Sequence, residues 1–185
     1  FYFDIRKDVL YCDQINSKKR KDCILVLNIL LKCLIHWLAP IFVFTTEEIF
    51  TLIDKQNKSV HENFFVKVPN SWKDINLDNK WKSLYKIKQE ANIAIEQKRA
   101  SKEIGSSLEA EIEIFVNNNH YKLMEGLDLA EYFITSKATK FENKNKEEGI
   151  KIIVKKSTGT KCPRCWKILE GKCVRCAQTT KDITV

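Results

Sequence analysis

The sequence predicts a mostly α-helical protein with a small α/β part and a terminal metal-binding knob, on three observations. Much of the first hundred residues repeats apolar side chains at helical spacing. Near Ile104 the period changes to strict alternation, the mark of a half-exposed strand. Two Cys-x-x-Cys pairs, Cys162/Cys165 and Cys173/Cys176, then fall within fifteen residues. The segments these signals delimit are 1–103 (helical), 104–157 (a small α/β subdomain) and 158–185 (knob and tail).

Composition sets the frame. A chain of 185 residues with 44% hydrophobic and 30% charged residues can bury one ordinary core and carry a small appendage. Only 5 Gly and 3 Pro argue against long disordered linkers. The net charge of +8 points to an anionic partner, nucleic acid being the usual one, although Lys, Asn and Ile abound throughout. The chain opens on Phe1-Tyr-Phe-Asp-Ile without an initiator Met, which reads as a cut through a larger protein. No signal-peptide pattern is visible, and three cysteines outside the cluster (Cys12, Cys23, Cys33) suit a reducing cytosol, so a cytoplasmic location is expected.

Taken in order, Phe1 to Tyr11 reads as the last turns of a helix. The basic run Ser17 to Lys21 precedes a long apolar stretch, Cys23 to Phe44, interrupted by Asn28, Lys32 and His36 on one helical stripe; the remaining faces are expected to be buried. A membrane span has about this length, but a Lys and a His within it are costly and Pro40 breaks the helix near Leu38. Thr45-Thr-Glu-Glu48 resembles a capping box opening a short helix to about Ile53. Lys55 to Glu62 reads as loop and Phe64 to Pro69 as an extended piece.

The next helix is the clearest. Trp81, Leu84, Ile87, Ala91, Ala94 and Ile95 recur at helical spacing between Asn79 and about Lys102, with Lys82, Lys86, Lys88, Glu90 and Lys98 on the charged face. Leu108, Ala110, Ile112, Ile114 and Val116 then alternate with Glu109, Glu111 and Glu113 in a strand. Short helices at His120–Leu127 and Leu129–Thr135, strands at Ala138–Phe141 and Ile150–Lys156, and a charged loop from Glu142 to Gly149 complete the α/β part.

The chemistry sits in the cysteines. Each Cys-x-x-Cys turn aims two sulfurs at one point, and four thiolates meet the tetrahedral preference of Zn²⁺. Two disulfides or a redox motif are the alternatives; the first needs an oxidising compartment and the second is normally single and set in a βαβ unit. No Gly-rich phosphate loop occurs, and His36, His61 and His120 have no acid or nucleophile at triad spacing, so the residues describe a binding module. Around the cysteines lie Lys161, Arg164, Lys167, Lys172 and Arg175 against the single acid Glu170. Some of these cations balance the thiolates. Trp166, hard to bury in so small a knob, has the equipment to stack on an unpaired base while Arg164 and Lys167 hold phosphates; packing on the neighbouring subdomain is the alternative.

Four motifs in register carry a resemblance: Phe-Tyr-Phe-Asp-Ile with Lys7-Asp8 and Leu10-Tyr-Cys at the front, Trp-Leu-Ala-Pro-Ile at 37–41, Ile-Gly-Ser-Ser-Leu-Glu-Ala at 104–110, and Lys-Cys-Pro-Arg-Cys-Trp at 161–166. In this order they are similar to the C-terminal part of the bacterial isoleucyl-tRNA synthetases, over essentially the whole chain. The resemblance implies a helical anticodon-binding domain, a small α/β junction and a zinc knob. The parent would join isoleucine to tRNA(Ile) with ATP and edit misactivated valine. Signatures of the catalytic and editing domains are absent here, so this chain alone is not expected to aminoacylate. The implied partners are tRNA(Ile) and the catalytic part of the same enzyme, with a monomer expected.

By the same resemblance Cys162, Cys165, Cys173 and Cys176 are the zinc ligands, and Arg164 and Trp166 lie near the anticodon loop; Lys167 and Arg175, from the charge of the knob, are further candidates for tRNA binding. Lys18, Lys19, Arg20 and Lys21 are candidates for a phosphate grip, or a solvated run. The loop between the cysteine pairs is shorter than in many family members. A zinc-ribbon DNA-binding module and a zinc-stabilised interaction scaffold are the rival readings.

Overall fold

The computed structural model describes residues 1–55, 59–143 and 149–181. The expected loops at 55–62 and 142–149 and the C-terminal tail therefore lie partly outside the described residues. Contacts divide the chain into two compact units, Ile15–Lys73 and Phe1–Gln14 with Asp74–Val185, along different lines from the three successive segments expected.

In the smaller unit, Ser17 accepts a hydrogen bond from the Arg20 N–H and opens helix α2, Lys18–Leu38. The helix stops two residues before Pro40, as expected. The Ile41 and Phe42 amides turn back onto the Leu38 carbonyl, and helix α3, Val43–Ile53, resumes at once. This early start corrects the expected capping box. Thr45 and Glu48 fall inside the helix, whose N-cap position is taken by Phe42. Thr46 Oγ1 instead donates to the Phe42 carbonyl. The Glu47 carboxylate reaches out of the helix and accepts from Ser59 Oγ and the Val60 amide, both at 2.9 Å, capping the single 3₁₀ turn Val60–Glu62.

Ile35, Ala39, Phe50 and Val60 form this unit's small core. α2 buries only Cys23, Cys33 and Ile35, contrary to the expected burial of every face but one; Leu25 is 60% exposed and Trp37 47%. Among the described residues, α3 and the Val60–Glu62 turn make the main contacts with α2, enough to cover a stripe of it. Phe64 to Pro69 forms no ladder among the described residues. No described helix is long and apolar enough to cross a membrane.

In the larger unit, helix α1 spans Tyr2–Cys12 and helix α4 spans Ile75–Ala100. Asp74 accepts from the Leu77 amide and starts α4 four residues before the apolar period does. Strand β1, Ala110–Val116, follows, with its predicted faces in alternate burial. Asn117 and Asp128 cap the short helices α5, Asn118–Leu123, and α6, Leu129–Phe133. Strands β2, Lys137–Glu142, and β3, Lys151–Lys156, flank β1 in the order β2-β1-β3. β1 pairs parallel with β2 across the helical crossover and antiparallel with β3.

Leu84, Ile87, Ala91 and Ile95 of α4 pack on Ile112, Ile114 and Val116 with Met124, Tyr132 and Phe133. Each such aliphatic or aromatic side chain contributes about 1.5–3 kcal/mol by leaving water. Lys88 departs from its expected place on the charged face. It is buried, and its Nζ donates to the Tyr132 carbonyl at 2.6 Å while lying over the Phe1 and Tyr132 rings. That carbonyl is one of the C-terminal orphans of α6, which the lysine satisfies. The knob completes the unit with strands β4, Thr160–Lys161, and β5, Ile168–Leu169, and helix α7, Val174–Lys181.

Candidate metal centre and nucleic-acid surface

The β4–β5 hairpin builds the first half of the centre. Its tip closes on itself: the Cys162 amide donates to the Lys167 carbonyl and the Trp166 amide to the Cys162 carbonyl, each at 2.9 Å. Both sulfurs of the first pair are thereby turned to one side. The second pair brackets the start of α7, with Cys176 in its first turn and the Ala177 amide bonded to the Cys173 carbonyl. The hairpin depends on Gly159, whose φ of +121° belongs to glycine and which passes so close to β5 that a Cβ would stand 2.3 Å from the Leu169 carbonyl oxygen. The sequence reading missed Gly159; a glycine immediately before a short strand was its only signal.

The four ligand sulfurs all lie within 4.8 Å of one another. Cys165 Sγ and Cys173 Sγ are 3.8 Å apart, far beyond a disulfide bond. A tetrahedral ion with metal–sulfur bonds of ~2.3 Å requires sulfur pairs ~3.8 Å apart, so the arrangement fits a metal ion. Electrostatics agree. Burial raises the Cys162 thiol, but the Cys165 and Arg164 amides aimed at it outweigh this and bring it down to about 7. Cys165 and Cys176 are pushed up by burial and by the neighbouring sulfurs. The Cys162 thiolate forms readily, and a cation would be needed to hold Cys165 and Cys176 deprotonated.

The knob is clamped to the C-terminal end of α1. Arg175 makes a two-pronged ion pair with Asp8 at 2.6 and 2.7 Å and reaches Asp13 at 3.2 Å. Arg164 donates to the Cys12 carbonyl at 2.5 Å and the Tyr11 carbonyl at 2.8 Å, and Thr179 Oγ1 also donates to Cys12. These bonds answer the carbonyls that the end of α1 leaves open. Burial pushes the Asp8 carboxyl up, yet its bonds to Arg175 and the charge of Lys167 hold it below the ordinary carboxylate value. Cys12 is buried against the ligand cysteines, and burial raises its thiol to about 11. On the opposite side, Ser136 Oγ receives the Ile168 amide at 2.7 Å and donates to the Leu108 carbonyl, pinning β5 to the α/β core.

The expected nucleic-acid residues divide on this geometry. Arg164 and Arg175 are engaged by α1, and Lys167 is mostly buried with its Nζ 3.9 Å from Asp8. Trp166 stands out: it is 61% exposed, with a left-handed backbone at φ 63°. Together with Ile134, also left-handed at φ 58°, it lines a cleft of about 520 Å³ that Asp8, Tyr11 and Glu131 share. Lys18, Lys19, Arg20 and Lys21 form the first turn of α2 in the other unit; Lys18, Lys19 and Lys21 are exposed. Asp8, Cys12 and Asp13, the receptor for the knob, went unread as such, because nothing local distinguishes an anchoring aspartate from a solvated one. His36 and His61 each bring a ring nitrogen to a backbone carbonyl, of Lys32 and Val43 respectively.

Comparison with known proteins bears on the whole of this surface. Residues 1–114 match the family model described as the anticodon-binding domain of tRNA ligase. Over 175 residues the chain is 53% identical to an isoleucine–tRNA ligase of Pelagibacter ubique, covering 95% of this chain and 19% of that protein. It is 39% identical to the isoleucine–tRNA ligase of Bartonella henselae over 90% of the chain, and 38% identical to that of Agrobacterium fabrum over 91%, in each case 18% of the relative's length. The chain thus spans about a fifth of the curated relatives it matches.

Proposed function

Because the chain belongs to the anticodon-binding domain family of tRNA ligases, we propose that it recognises the anticodon arm of tRNA(Ile) as part of an isoleucine–tRNA ligase. The family match over residues 1–114 carries this reading. The parent enzyme would join isoleucine to that tRNA with ATP in the cytoplasm, acting as a monomer through a catalytic part whose signatures this chain lacks. The metal is zinc in this proposal, held by Cys162, Cys165, Cys173 and Cys176; it would supply folding energy to the knob and no chemistry.

The division of labour follows from exposure. Trp166 would stack on a splayed anticodon base, the sequence-tolerant contact that open aromatic rings make. Lys18, Lys19, Arg20 and Lys21 would grip phosphates. Four cations in the first turn of α2 oppose its macrodipole and are locally unfavourable, but with the helix N-terminus they make one attractive site for an anion. Arg164, Lys167 and Arg175 contribute positive potential around Trp166 while their hydrogen-bonding capacity serves the clamp.

The test is the affinity of the zinc-loaded chain for tRNA(Ile) beside the same tRNA with a changed anticodon, at near-physiological salt. A clear preference for the native anticodon is expected. Equal, salt-labile binding of both would leave only the phosphate contribution and overturn the proposal.

A further inference from the structure

Trp166 is the exposed ring of the knob, yet its backbone is one that an aromatic residue adopts only at a cost, persisting where the surroundings over-determine it. Those surroundings can be read residue by residue. Arg164 is tied to the last carbonyls of α1, Cys165 is a metal ligand, and Lys167 sits 3.9 Å from Asp8. Asp8 also receives both prongs of Arg175, which lies between the ligands Cys173 and Cys176. One carboxylate therefore binds the segment joining the second pair of ligands and lies 3.9 Å from the ammonium of the residue after Trp166, and it belongs to a helix 167 residues away from Arg175 in sequence.

We propose that Asp8 is a positioning residue for Trp166: by anchoring Arg175 and Lys167 it fixes the exposed ring in one orientation, so that RNA meets a preorganised stacking surface. The inference deepens the reading of Trp166 as a base-stacking residue and rests on it. Its physical content is entropic. An exposed side chain on an isolated hairpin samples several orientations and is immobilised on binding, whereas a ring already held has less freedom to lose. Asp8 lines the cleft beside Trp166 and acts through its two cationic partners.

The experiment compares four variants of the zinc-loaded chain, Asp8→Asn, Asp8→Glu, Trp166→Ala and the double Asp8→Asn/Trp166→Ala, for binding to an anticodon stem-loop RNA of tRNA(Ile), with zinc content measured on each. Trp166→Ala should lose between about 5- and 150-fold, the range that base–aromatic stacking spans. Asp8→Asn should keep its zinc and lose at least about fivefold, a substantial part of the same stacking contribution. The double variant should bind no worse than Trp166→Ala, and Asp8→Glu should recover most of the loss. Losses that add in the double variant would overturn the proposal, because Asp8 would then act elsewhere than through Trp166. Full affinity in Asp8→Asn, or loss of its zinc, would overturn it too, the latter making Asp8 a folding residue. No loss in Trp166→Ala would instead remove the stacking reading beneath it.

Discussion

Replacing Gly159 by alanine should unmake the metal centre without touching a ligand. A Cβ at this position would stand 2.3 Å from the Leu169 carbonyl oxygen and 2.6 Å from its carbon, both backbone atoms that cannot swing aside. The clash can be relieved only by parting β4 from β5, that is, by losing the Thr160–Leu169 and Lys161–Ile168 pairs. Holding a non-glycine residue at φ +121° costs about 1–3 kcal/mol, and each net hydrogen bond lost adds about 0.5–1.5 kcal/mol. With one bond lost at each of the two pairs, the sum is about 2–6 kcal/mol. In a knob whose folding is coupled to metal binding, as proposed, the cost falls on zinc affinity as a loss of roughly 30- to 20,000-fold. Competition against a chromophoric chelator reads this directly. Gly171→Ala is the control, since nothing lies within 4 Å of the position and its φ is ordinary. Equal zinc affinity in the two variants would refute the reasoning and show that the hairpin is not what brings the first cysteine pair into place.

Two further outcomes follow from buried charges. Lys88→Met removes the donor to the Tyr132 carbonyl and should destabilise the larger unit by about 1–3 kcal/mol in urea unfolding, the cost of an unanswered buried acceptor; an unchanged midpoint would mean that the bond contributes nothing net. The Asp8 carboxyl titrates below its ordinary value in the folded chain, so its stabilisation is complete above about pH 4 and is lost as pH falls through the lower, folded value. The stability difference between the wild-type chain and Asp8→Asn should therefore hold from pH 7 to about 5 and shrink below about 4. A difference that persists unchanged down to pH 3 would rule out the carboxylate charge as its source.

Local signals were legible in the sequence and distant ones were not. The 3.6-residue period of α4, the alternation of β1 and the two cysteine pairs each announce themselves within a few residues, and all three stand in the fold. The α2 period was equally visible, but it tells which faces are apolar and not how many neighbours exist to cover them; hence Leu25 and Trp37 lie in solvent. Arg164 and Arg175 read as RNA contacts because charge type is visible and the partner is not. Their acceptors, at Tyr11, Cys12, Asp8 and Asp13, are at the other end of the sequence. Lys88 did leave a trace: it stands four residues after Leu84 and three before Ala91, beside the buried stripe. Gly159 and Glu47 act on backbone groups in a neighbouring element, which no periodicity encodes.

The clamp between Arg175 and Asp8 closes a loop of 167 residues, and that separation bears on how the molecule comes to exist. Contacts so distant are late ones, since the entropy of closing the loop must be met before they stabilise anything. On a ribosome adding about 5–20 residues per second, α1 emerges on the order of ten to thirty seconds before its partner. In that interval the Asp8 and Asp13 carboxylates and the open carbonyls of Tyr11 and Cys12 face water. Ile5 and Arg6 can seat the first turns of α1 on the α/β core, but its last carbonyls and Asp8 gain their partners only once Arg164, Arg175 and Thr179 have been made. An ion that ordered the knob would thus also complete the capping of a helix made long before it.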